Sequence, residues 1–409
     1  MKVIDGGVTS AKGFRAAAVA AGVKYRDRLD MAMVYSEKEC AVAGTFTSNV
    51  VKAAPVIWDR RIIREKKGKV RAIVVNTGIA NAGTGSEGLL NCERTAIKTA
   101  EALGIDKEEV LVGSTGVIGP QLNMTAVLSG VEKLAESLSD SREAAHSASQ
   151  AIMTTDTHPK EYAVEFEISG KTVKLGGMAK GSGMIHPNMG TMLGYITSDL
   201  CISGDMLQKA LSDVVEDTFN MISVDGDTST NDTLIVMANG EAGNNEISSE
   251  GADYDAFREA LFNVTRELSR MLAGDGEGAT KLVTCNVINA ADKNKAKILA
   301  KSVITSSLTK AMLYGNDANW GRILCAMGYS GVQFDPEKLD IYFDAEGCDR
   351  IHIYHDGAGV PFSEDEATAL IRHEEVIITA DMREGDARAT AWGCDLTHEY
   401  VNINADYRS

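Results

Sequence analysis

Proline is scarce in this chain: six of its 409 residues are proline, against 39 glycines. Hydrophobic residues make up 44% of the chain and charged residues 24%. This composition disfavours disorder and is typical of a compact protein with many tight turns. Because the length exceeds the size at which one hydrophobic core usually stops growing, we expect two or more lobes.

Basic residues are also few. The chain has 41 lysines and arginines against 58 acidic residues, a net charge of −17. Such a chain repels phosphate backbones and anionic lipid headgroups, so we do not expect it to bind nucleic acid. No segment approaches the roughly 18 apolar residues that span a bilayer. The apolar run at 16–23 is too short and too rich in alanine for a signal peptide, so we expect a cytoplasmic protein.

Several familiar site patterns are missing. The seven cysteines include no C-x-x-C pair, and their odd number argues against a complete disulfide framework, so reduced thiols are expected. There is no G-x-S-x-G elbow. The acidic segment 225–230 lacks the glycine of a calcium-binding loop. His352 and His355 are three apart in a predicted strand, so we expect them on opposite faces. No metal site is therefore predicted.

Hydrophobic periodicity predicts a mixed α/β chain. Apolar runs at 72–76 and 110–113 indicate strands that end in glycine-rich turns, and 162–175 indicates a hairpin. Further strands are predicted at 339–343, 351–354 and 376–380, with a final extended run at 399–404. Helical spacing of apolar residues predicts helices at 127–138, 141–152, 204–221 and 254–272.

The segment 186–195, His-Pro-Asn-Met-Gly-Thr-Met-Leu-Gly-Tyr, is consistent with a self-cleavage site. The Thr191 hydroxyl can attack the Gly190 carbonyl, and an N-to-O acyl shift followed by hydrolysis then frees the Thr191 α-amine. An α-amine has a pKa of about 7.7–8.0, so it can act as a general base near neutrality. Nucleophile and base then belong to one residue. The alternative is an ordinary turn that leads into a strand.

Acyl transfer also needs donors that stabilise an oxyanion, and the glycine-rich loop 113–119 offers them. It follows a predicted strand, and its glycines let the backbone approach an oxygen closely. The loop 76–85 either lines the same pocket or only turns the chain. Lys180 is a cation near the nucleophile in sequence, and the loop 274–281 carries Glu277, a carboxylate suited to an ammonium group or to a solvated turn.

Together these segments resemble the ornithine acetyltransferase family, the bifunctional glutamate N-acetyltransferases of arginine biosynthesis. The resemblance runs from end to end. It is carried by Gly-Gly-Val-Thr at 6–9, the segment 12–17, the loop 114–119, Met-Thr-Thr-Asp-Thr at 153–157, the segments 177–184, 186–193 and 274–281, Tyr-Gly-Asn-Asp-Ala-Asn-Trp-Gly-Arg at 314–322, and Asn-Ile-Asn-Ala-Asp-Tyr-Arg-Ser at 402–409.

The resemblance implies an α-β-β-α layered sandwich with a smaller C-terminal lobe. It implies autoproteolysis at Gly190-Thr191 into an α chain, 1–190, and a β chain, 191–409, which share one intertwined fold and assemble as an α2β2 heterotetramer. It implies a ping-pong reaction in which Thr191 takes the acetyl group of N-acetylornithine and passes it to glutamate. No cofactor is implied, and the use of acetyl-CoA as a second acetyl donor is left open.

The resemblance also assigns roles to residues. Thr191 is the nucleophile and its amine the base, while Thr115 and Gly116 stabilise the oxyanion. The residues implied to contact substrate are Thr154, Lys180, Thr191, Glu277, Asn404 and Ser409. Glu277 suits the side-chain ammonium of ornithine, and Lys180 suits a carboxylate.

Three positions depart from the family pattern. Gly190 stands where alanine is usual, so slower cleavage is expected, and Ile79 and Gly83 stand where asparagine and cysteine are common. Two other functions remain open from the residues: a self-cleaving aminopeptidase, and an uncleaved ligand-binding homologue.

Overall fold

A computed structural model describes residues 1–65, 69–186 and 192–406, which form two β-sheets and the helices around them. The strands are β1 Lys2–Ile4, β2 Phe14–Val19, β3 Met31–Phe46, β4 Val70–Asn76, β5 Val110–Ser114, β6 Lys160–Ile168, β7 Lys171–Lys180, β8 Leu193–Ser198, β9 Ile222–Ser223, β10 Thr233–Ala238, β11 Leu282–Ala290, β12 Asp340–Asp344, β13 Ile351–His355, β14 Ala358–Gly359, β15 Glu375–Asp381 and β16 Ala387–Cys394. The helices are α1 Ala54–Glu65, α2 Gly85–Leu103, α3 Met124–Glu136, α4 Arg142–Ala151, α5 Gly204–Val215, α6 Ala252–Gly274, α7 Lys293–Thr305, α8 Ser307–Tyr314, α9 Trp320–Gly328, α10 Glu364–Ile371 and α11 His398–Asp406.

Most of the predicted strands and helices are observed, and capping side chains explain several helix starts. The Ser141 hydroxyl accepts from the Ala144 N–H at the start of α4, and Ser203 accepts from Met206 at the start of α5. The predicted helix 204–221 is too long, since α5 ends at Val215. There the Thr218 hydroxyl donates to the Val214 carbonyl at 2.7 Å and competes with the helical backbone.

The extended run predicted at 399–404 is wrong, because these residues lie within α11. The Thr397 hydroxyl accepts from the Tyr400 N–H at 3.4 Å and so helps the helix to begin. The Asn404 side chain donates back to the Tyr400 carbonyl at 3.0 Å. These local hydrogen bonds outweigh the modest helix propensity of a segment rich in asparagine.

The long strand β3 joins two halves of the first sheet. Its residues 31–36 pair with β2 and β4, and its residues 41–46 pair with β10. We call β2, β4, β5 and residues 31–36 half B, and β1, β6, β7, β8, β10 and residues 41–46 half A. The pairing register with β4 shifts between Tyr35 and Cys40, at the change from one half to the other.

The two halves pack face to face. One hydrophobic core contains Met33 and Val112 of half B together with Met178, Tyr195 and Ile235 of half A. Helices α1–α4 pack against half B, while α5 and α6 pack against half A. The observed order is helix, sheet, sheet, helix, so the predicted α/β layered class is confirmed.

The second sheet forms the C-terminal lobe. Its strand order is β14-β13-β12-β15-β11-β16-β9, with α7 packed on β11 and β16. Helix α6 contacts both lobes, since it touches β6 and β7 on one side and β11 and β16 on the other. Among the described residues, every helix is too short or too polar to cross a membrane. No disulfide joins the seven cysteines.

The expectation that His352 and His355 face opposite ways is wrong. The register between β12 and β13 shifts between Ile341, which pairs with Tyr354, and Tyr342, which pairs with His352. The extra residue of this β-bulge leaves Ile353 and Tyr354 both buried. Both imidazoles therefore contact Asp340 at the start of β12.

The packing of half A on half B can be tested at Gly113 in β5. A Cβ atom there would lie 2.2 Å from the Tyr195 hydroxyl of β8 and 3.2 Å from the Val75 methyl carbons. Tyr195 is 1% exposed and cannot easily move. We expect Gly113→Ala to lower the free energy of unfolding by about 1–3 kcal/mol, the usual cost of overpacking. Urea denaturation measures the change.

The matched control adds Tyr195→Phe to Gly113→Ala. Removing the hydroxyl removes the closest contact, so the double variant should recover part of the lost stability. Additive effects of the two substitutions would contradict this packing.

Candidate active site

A cavity of ≈ 130 Å³ lies where half A, half B and α11 meet. It is lined by residues that follow β5, by the last residue of β7, by the first residue of β8, by the loop before β10 and by Asn404 of α11. Six of the residues that the sequence singled out line it: Thr115, Gly116, Thr154, Lys180, Glu277 and Asn404. These six residues come from distant parts of the chain, so only the fold brings them together.

The loop after β5 is held by the loop after β4. The Thr115 N–H donates to the Asn76 carbonyl at 3.1 Å, and the Val117 N–H donates to the Gly78 carbonyl at 3.1 Å. Gly116 has a φ of 131°, and a Cβ there would lie 2.2 Å from the Gly78 carbonyl carbon. A residue with a side chain could not occupy this position. The loop 76–85 contributes no residue to the cavity wall, so it does not line the pocket as one alternative proposed. It does more than turn the chain, because its backbone supports the Thr115 loop.

Asn231 is a residue of this site that sequence reasoning missed. Its side-chain amide donates to the Ser114 carbonyl at 2.7 Å and to the Ala80 carbonyl at 2.6 Å, and thus links the two loops. Its own side chain is fixed by the Thr230 hydroxyl, which donates to it at 2.6 Å. The only signal in the sequence is an Asn-Asp pair just before a strand, which is too common to be informative.

Lys180 brings a buried ammonium group to the cavity. Its Nζ donates to the Thr154 hydroxyl at 2.7 Å and to the Thr115 hydroxyl at 3.4 Å, and it lies 3.9 Å from an Asp156 oxygen. Burial lowers the pKa of Lys180 below its usual range, although the Asp156 carboxylate acts in the opposite direction. The Thr115 and Thr154 hydroxyls are therefore oriented by one cation.

Asp156 anchors this arrangement, and sequence reasoning did not select it. Its carboxylate accepts from the Gly181 N–H at 2.7 Å and from Lys160 Nζ at 2.7 Å. Lys160 also donates to Asp275 at 2.6 Å. Burial opposes ionisation of Asp156, but Lys180 and Lys160 together outweigh it and hold its pKa below the usual range. We call Asp156, Lys160, Lys180 and Asp275 the ion cluster.

Glu277 forms the opposite wall. Its carboxylate accepts from the Asn404 amide at 2.7 Å, and its N–H donates to the Ser182 carbonyl at 2.9 Å. A Cβ at Gly183 would lie 2.3 Å from the Glu277 carboxyl carbon, so the glycine makes room for this side chain. The helix α11, predicted as an extended run, is thus what carries Asn404 to Glu277.

Gly190, Thr191 and Ser409 lie outside the described residues, so the structure reports nothing on them. The described residues on either side of the segment 187–191 are His186 and Met192. Met192 lines the cavity. His186 lies 3.1 Å from the Ser223 hydroxyl, and burial together with the nearby Lys301 lowers its pKa to about 4.

The acidic segment 225–230 has a backbone role. The Asp225 carboxylate accepts from the Met184 N–H at 2.6 Å and from the Ile185 N–H at 2.9 Å. Met184 has a φ of 56°, an uncommon conformation for a residue with a side chain. Asp225 therefore fixes the turn that leads out of β7 past the cavity.

Comparison with known proteins gives one consistent family. A model of the ArgJ family matches residues 15–409. The arginine biosynthesis bifunctional protein ArgJ of Caldanaerobacter subterraneus subsp. tengcongensis is 48% identical over 410 residues, covering 100% of both chains. The protein of the same name from Thermotoga neapolitana is 48% identical over 398 residues, covering 97% of this chain and 99% of its own.

Two solved structures are also similar. A chain of the arginine biosynthesis bifunctional protein argJ from Bacillus halodurans is 44% identical, with a TM-score of 0.49, and covers 52% of this chain and 97% of its own. A chain of ornithine acetyltransferase from Mycobacterium tuberculosis, complexed with ornithine, is 41% identical, with a TM-score of 0.43, and covers 47% of this chain and 99% of its own.

The ion cluster predicts a large effect for Asp156→Asn. The Asp156 and Lys160 side chains are both 0% exposed. Removing one partner of a buried pair leaves an uncompensated charge, so we expect the free energy of unfolding at pH 7 to fall by about 3–5 kcal/mol. Because the pKa of Asp156 is lowered in the folded state, its contribution is present above about pH 3.9, the unfolded value, and is lost as the pH falls. Denaturant titrations at pH 7 and pH 3 measure both effects.

Asp213→Asn is the matched control, because Asp213 pairs with the exposed Lys209 at 3.1 Å, also four residues away. A surface pair of this kind contributes about 0.3–0.5 kcal/mol. Equal losses in the two variants would contradict the buried ion cluster.

Proposed function

Because the chain belongs to the ArgJ family, we propose that it is an acetyltransferase of arginine biosynthesis that moves the acetyl group of N-acetylornithine to glutamate. The observation that carries the proposal is the composition of one cavity. Donors after β5, a buried cation and a carboxylate line it together with Met192, which follows Thr191 in the chain. We propose acetyl-Thr191 as the intermediate.

The first half-reaction transfers the acetyl group to the enzyme. The Thr191 hydroxyl oxygen attacks the acetyl carbonyl carbon, and the hydroxyl proton passes to the Thr191 α-amine. The carbonyl oxygen becomes negative, and Thr115 and Gly116 stabilise it with hydrogen bonds. The carbon–nitrogen bond then breaks, the proton moves from the Thr191 amine to the departing nitrogen, and ornithine leaves.

The second half-reaction discharges the acetyl-enzyme. The neutral amine of glutamate attacks the ester carbonyl, and the same two donors stabilise the oxyanion. The ester carbon–oxygen bond breaks, the Thr191 oxygen recovers a proton through its α-amine, and N-acetylglutamate leaves. Each half-reaction uses one nucleophile and one base, so the proposal needs no cofactor.

Substrate binding follows from the charges in the cavity. We assign the side-chain ammonium of ornithine to Glu277, whose orientation is fixed by Asn404. We assign a substrate carboxylate to Lys180, the buried ammonium group beside Thr154 and Thr115. Ser409, which follows the described residues in sequence, completes the proposed substrate contacts. The structure of the relative from Mycobacterium tuberculosis was determined in complex with ornithine, in agreement with the proposed ornithine site.

The proposed mechanism requires a free Thr191 amine, and so cleavage of the Gly190-Thr191 bond into chains 1–190 and 191–409. We expect mass spectrometry of the purified protein to find these two chains. We expect Thr191→Ala to remain a single chain without transferase activity. Thr191→Ser, which keeps a hydroxyl and an N-terminal amine after cleavage, should still cleave and retain measurable activity.

The intermediate can be trapped with N-acetylornithine in the absence of glutamate. The chain 191–409 should then gain the mass of one acetyl group, and glutamate should remove it as N-acetylglutamate.

Other outcomes would point to other functions. A single intact chain that still transfers acetyl would contradict the proposed mechanism. Faster peptide hydrolysis than acetyl transfer would indicate the aminopeptidase, and ornithine binding without an acetyl adduct would indicate a binding homologue. Acetyl-CoA in place of N-acetylornithine tests the second donor.

Glu277→Gln tests recognition of the ammonium group. Hydrogen bonds to charged groups contribute about 1.5–3 kcal/mol. We therefore expect kcat/KM for N-acetylornithine to fall roughly 10- to 150-fold. Discharge of the acetyl-enzyme by glutamate should fall less, because glutamate has no side-chain ammonium.

Steady-state and single-turnover kinetics separate the two half-reactions. Glu399→Gln is the control, since Glu399 is an exposed glutamate of the same helix as Asn404. Equal losses in both half-reactions would show that Glu277 does not select the ammonium group.

A further inference from the structure

Two imidazoles converge on one carboxylate in the C-terminal lobe, away from the residues that line the cavity. His352 Nε2 lies 3.0 Å from Asp340 Oδ1, and His355 Nδ1 contacts the same oxygen. Asp340 is buried, with 7% of its side chain exposed, while the side chains of His352 and His355 are 33% and 43% exposed. The three ligand atoms lie within 4.8 Å of one another.

The convergence is produced by the β-bulge between β12 and β13. In a regular strand His352 and His355 would lie on opposite faces. The register shift after Ile341 brings His355 beside Asp340 and leaves His352 opposite Tyr342, whose ring stacks on it with centroids 4.4 Å apart. β-Bulges commonly redirect a side chain toward a site.

A second layer of charged groups orients these three ligands. The other ring nitrogen of His355, Nε2, lies 3.0 Å from an Asp356 carboxylate oxygen. Arg383 Nη2 donates to the other Asp356 oxygen at 2.7 Å, and Arg383 Nε lies 3.1 Å from Asp340 Oδ2. Arg383 thus holds both carboxylates and leaves Asp340 Oδ1 directed at the imidazoles. A carboxylate that orients the far nitrogen of a histidine is typical of metal sites.

We propose that Asp340, His352 and His355 bind one divalent ion of the zinc type. Two imidazoles and one carboxylate suit Zn²⁺ and its neighbours, whereas Mg²⁺ and Ca²⁺ prefer oxygen ligands. A tetrahedral ion with bonds of about 2.0–2.1 Å holds its ligand atoms roughly 3.3 Å apart. His352 Nε2 and Asp340 Oδ1 are 3.0 Å apart, and all three ligand atoms lie within 4.8 Å of one another, so small side-chain movements would place them around one ion. Three protein ligands leave a fourth position for water. The ion joins β12 to the bulged strand β13 and stabilises the C-terminal lobe.

The metal site and a hydrogen-bonded cluster without metal differ in whether the imidazole nitrogens that face Asp340 bear a proton. Without an ion, both nitrogens must bear a proton to donate to Asp340. With an ion, both present lone pairs to it, and His355 keeps its proton on the nitrogen that faces Asp356. Metal stoichiometry therefore separates the two states.

The test uses the full chain, stripped with a chelator and dialysed against Zn²⁺ or Co²⁺. Cys348 and His373 lie 3.2 Å apart and offer a competing pair of ligands, so all proteins carry Cys348→Ser. We expect one equivalent of metal by elemental analysis, the visible absorption of tetrahedral Co²⁺, and a higher Tm with Zn²⁺ than with Mg²⁺.

The variants assign the ligands. The double variant His352→Gln and His355→Gln should lose the bound equivalent and the Co²⁺ absorption, and Asp356→Asn should lower affinity 10- to 100-fold. His146 is a half-exposed histidine that pairs with Glu161. His146→Gln should therefore change neither the bound equivalent of metal nor the Co²⁺ absorption. Circular dichroism checks that each variant is folded.

Two results would overturn the proposal. One is that the folded protein carrying only Cys348→Ser binds no Zn²⁺ or Co²⁺. The other is an equivalent of metal that survives in the double variant.

Discussion

The salt bridge between Asp156 and Lys160 is fully buried, since neither side chain has exposed surface. Removing two charges from solvent is costly, and the cost is offset here because Asp275 and Lys180 extend the pair into the ion cluster. The cluster also accepts the backbone N–H of Gly181 and of Thr154. The turns on both sides of the cavity are thus fixed by the same charges.

The chemistry proposed for the cavity depends on this cluster in two ways. It positions Lys180, whose ammonium group orients the Thr115 and Thr154 hydroxyls. It also holds the segment 274–277, since Lys160 binds the Asp275 side chain and the Ser182 hydroxyl donates to the Asp275 carbonyl. Glu277 is two residues further on. Groups proposed to bind opposite ends of a substrate are therefore connected through one buried network, and such preorganisation lowers the cost of positioning the substrate.

Part of the fold could be predicted from local sequence. The strands β4 and β5, the hairpin of β6 and β7, and helices α3, α4 and α6 have clear hydrophobic periodicity, and serine caps mark the starts of α4 and α5. The loop 113–119, Lys180 and Glu277 could be selected from their chemistry, and the resemblance to a family added Thr154 and Asn404. No periodicity could show that these residues meet at one cavity.

The features that sequence reasoning missed depend on contacts distant in the chain. Nothing in the local sequence distinguishes Asp156 from the other aspartates, because its role depends on contacts with Lys160, Lys180 and Gly181 in the folded protein. The helix α11 was predicted as extended because its hydrophobic spacing is weak, and the bulge in β13 depends on pairing with β12. Such features are set by tertiary packing rather than by local propensity.

Strand β8 lies between β7 and β10 in half A, and pairs with β7 from Leu175 opposite Ser198 to Lys180 opposite Leu193. Two strands of residues 191–409, β8 and β10, therefore lie side by side between two strands of residues 1–190, β7 and β3. Neither segment alone would cover its own strand edges, and an uncovered edge is a template for aggregation. We therefore expect the two segments to fold as a single translated chain, with any break at residue 190 following folding and the hydrogen bonds of the sheet holding the pieces together afterwards.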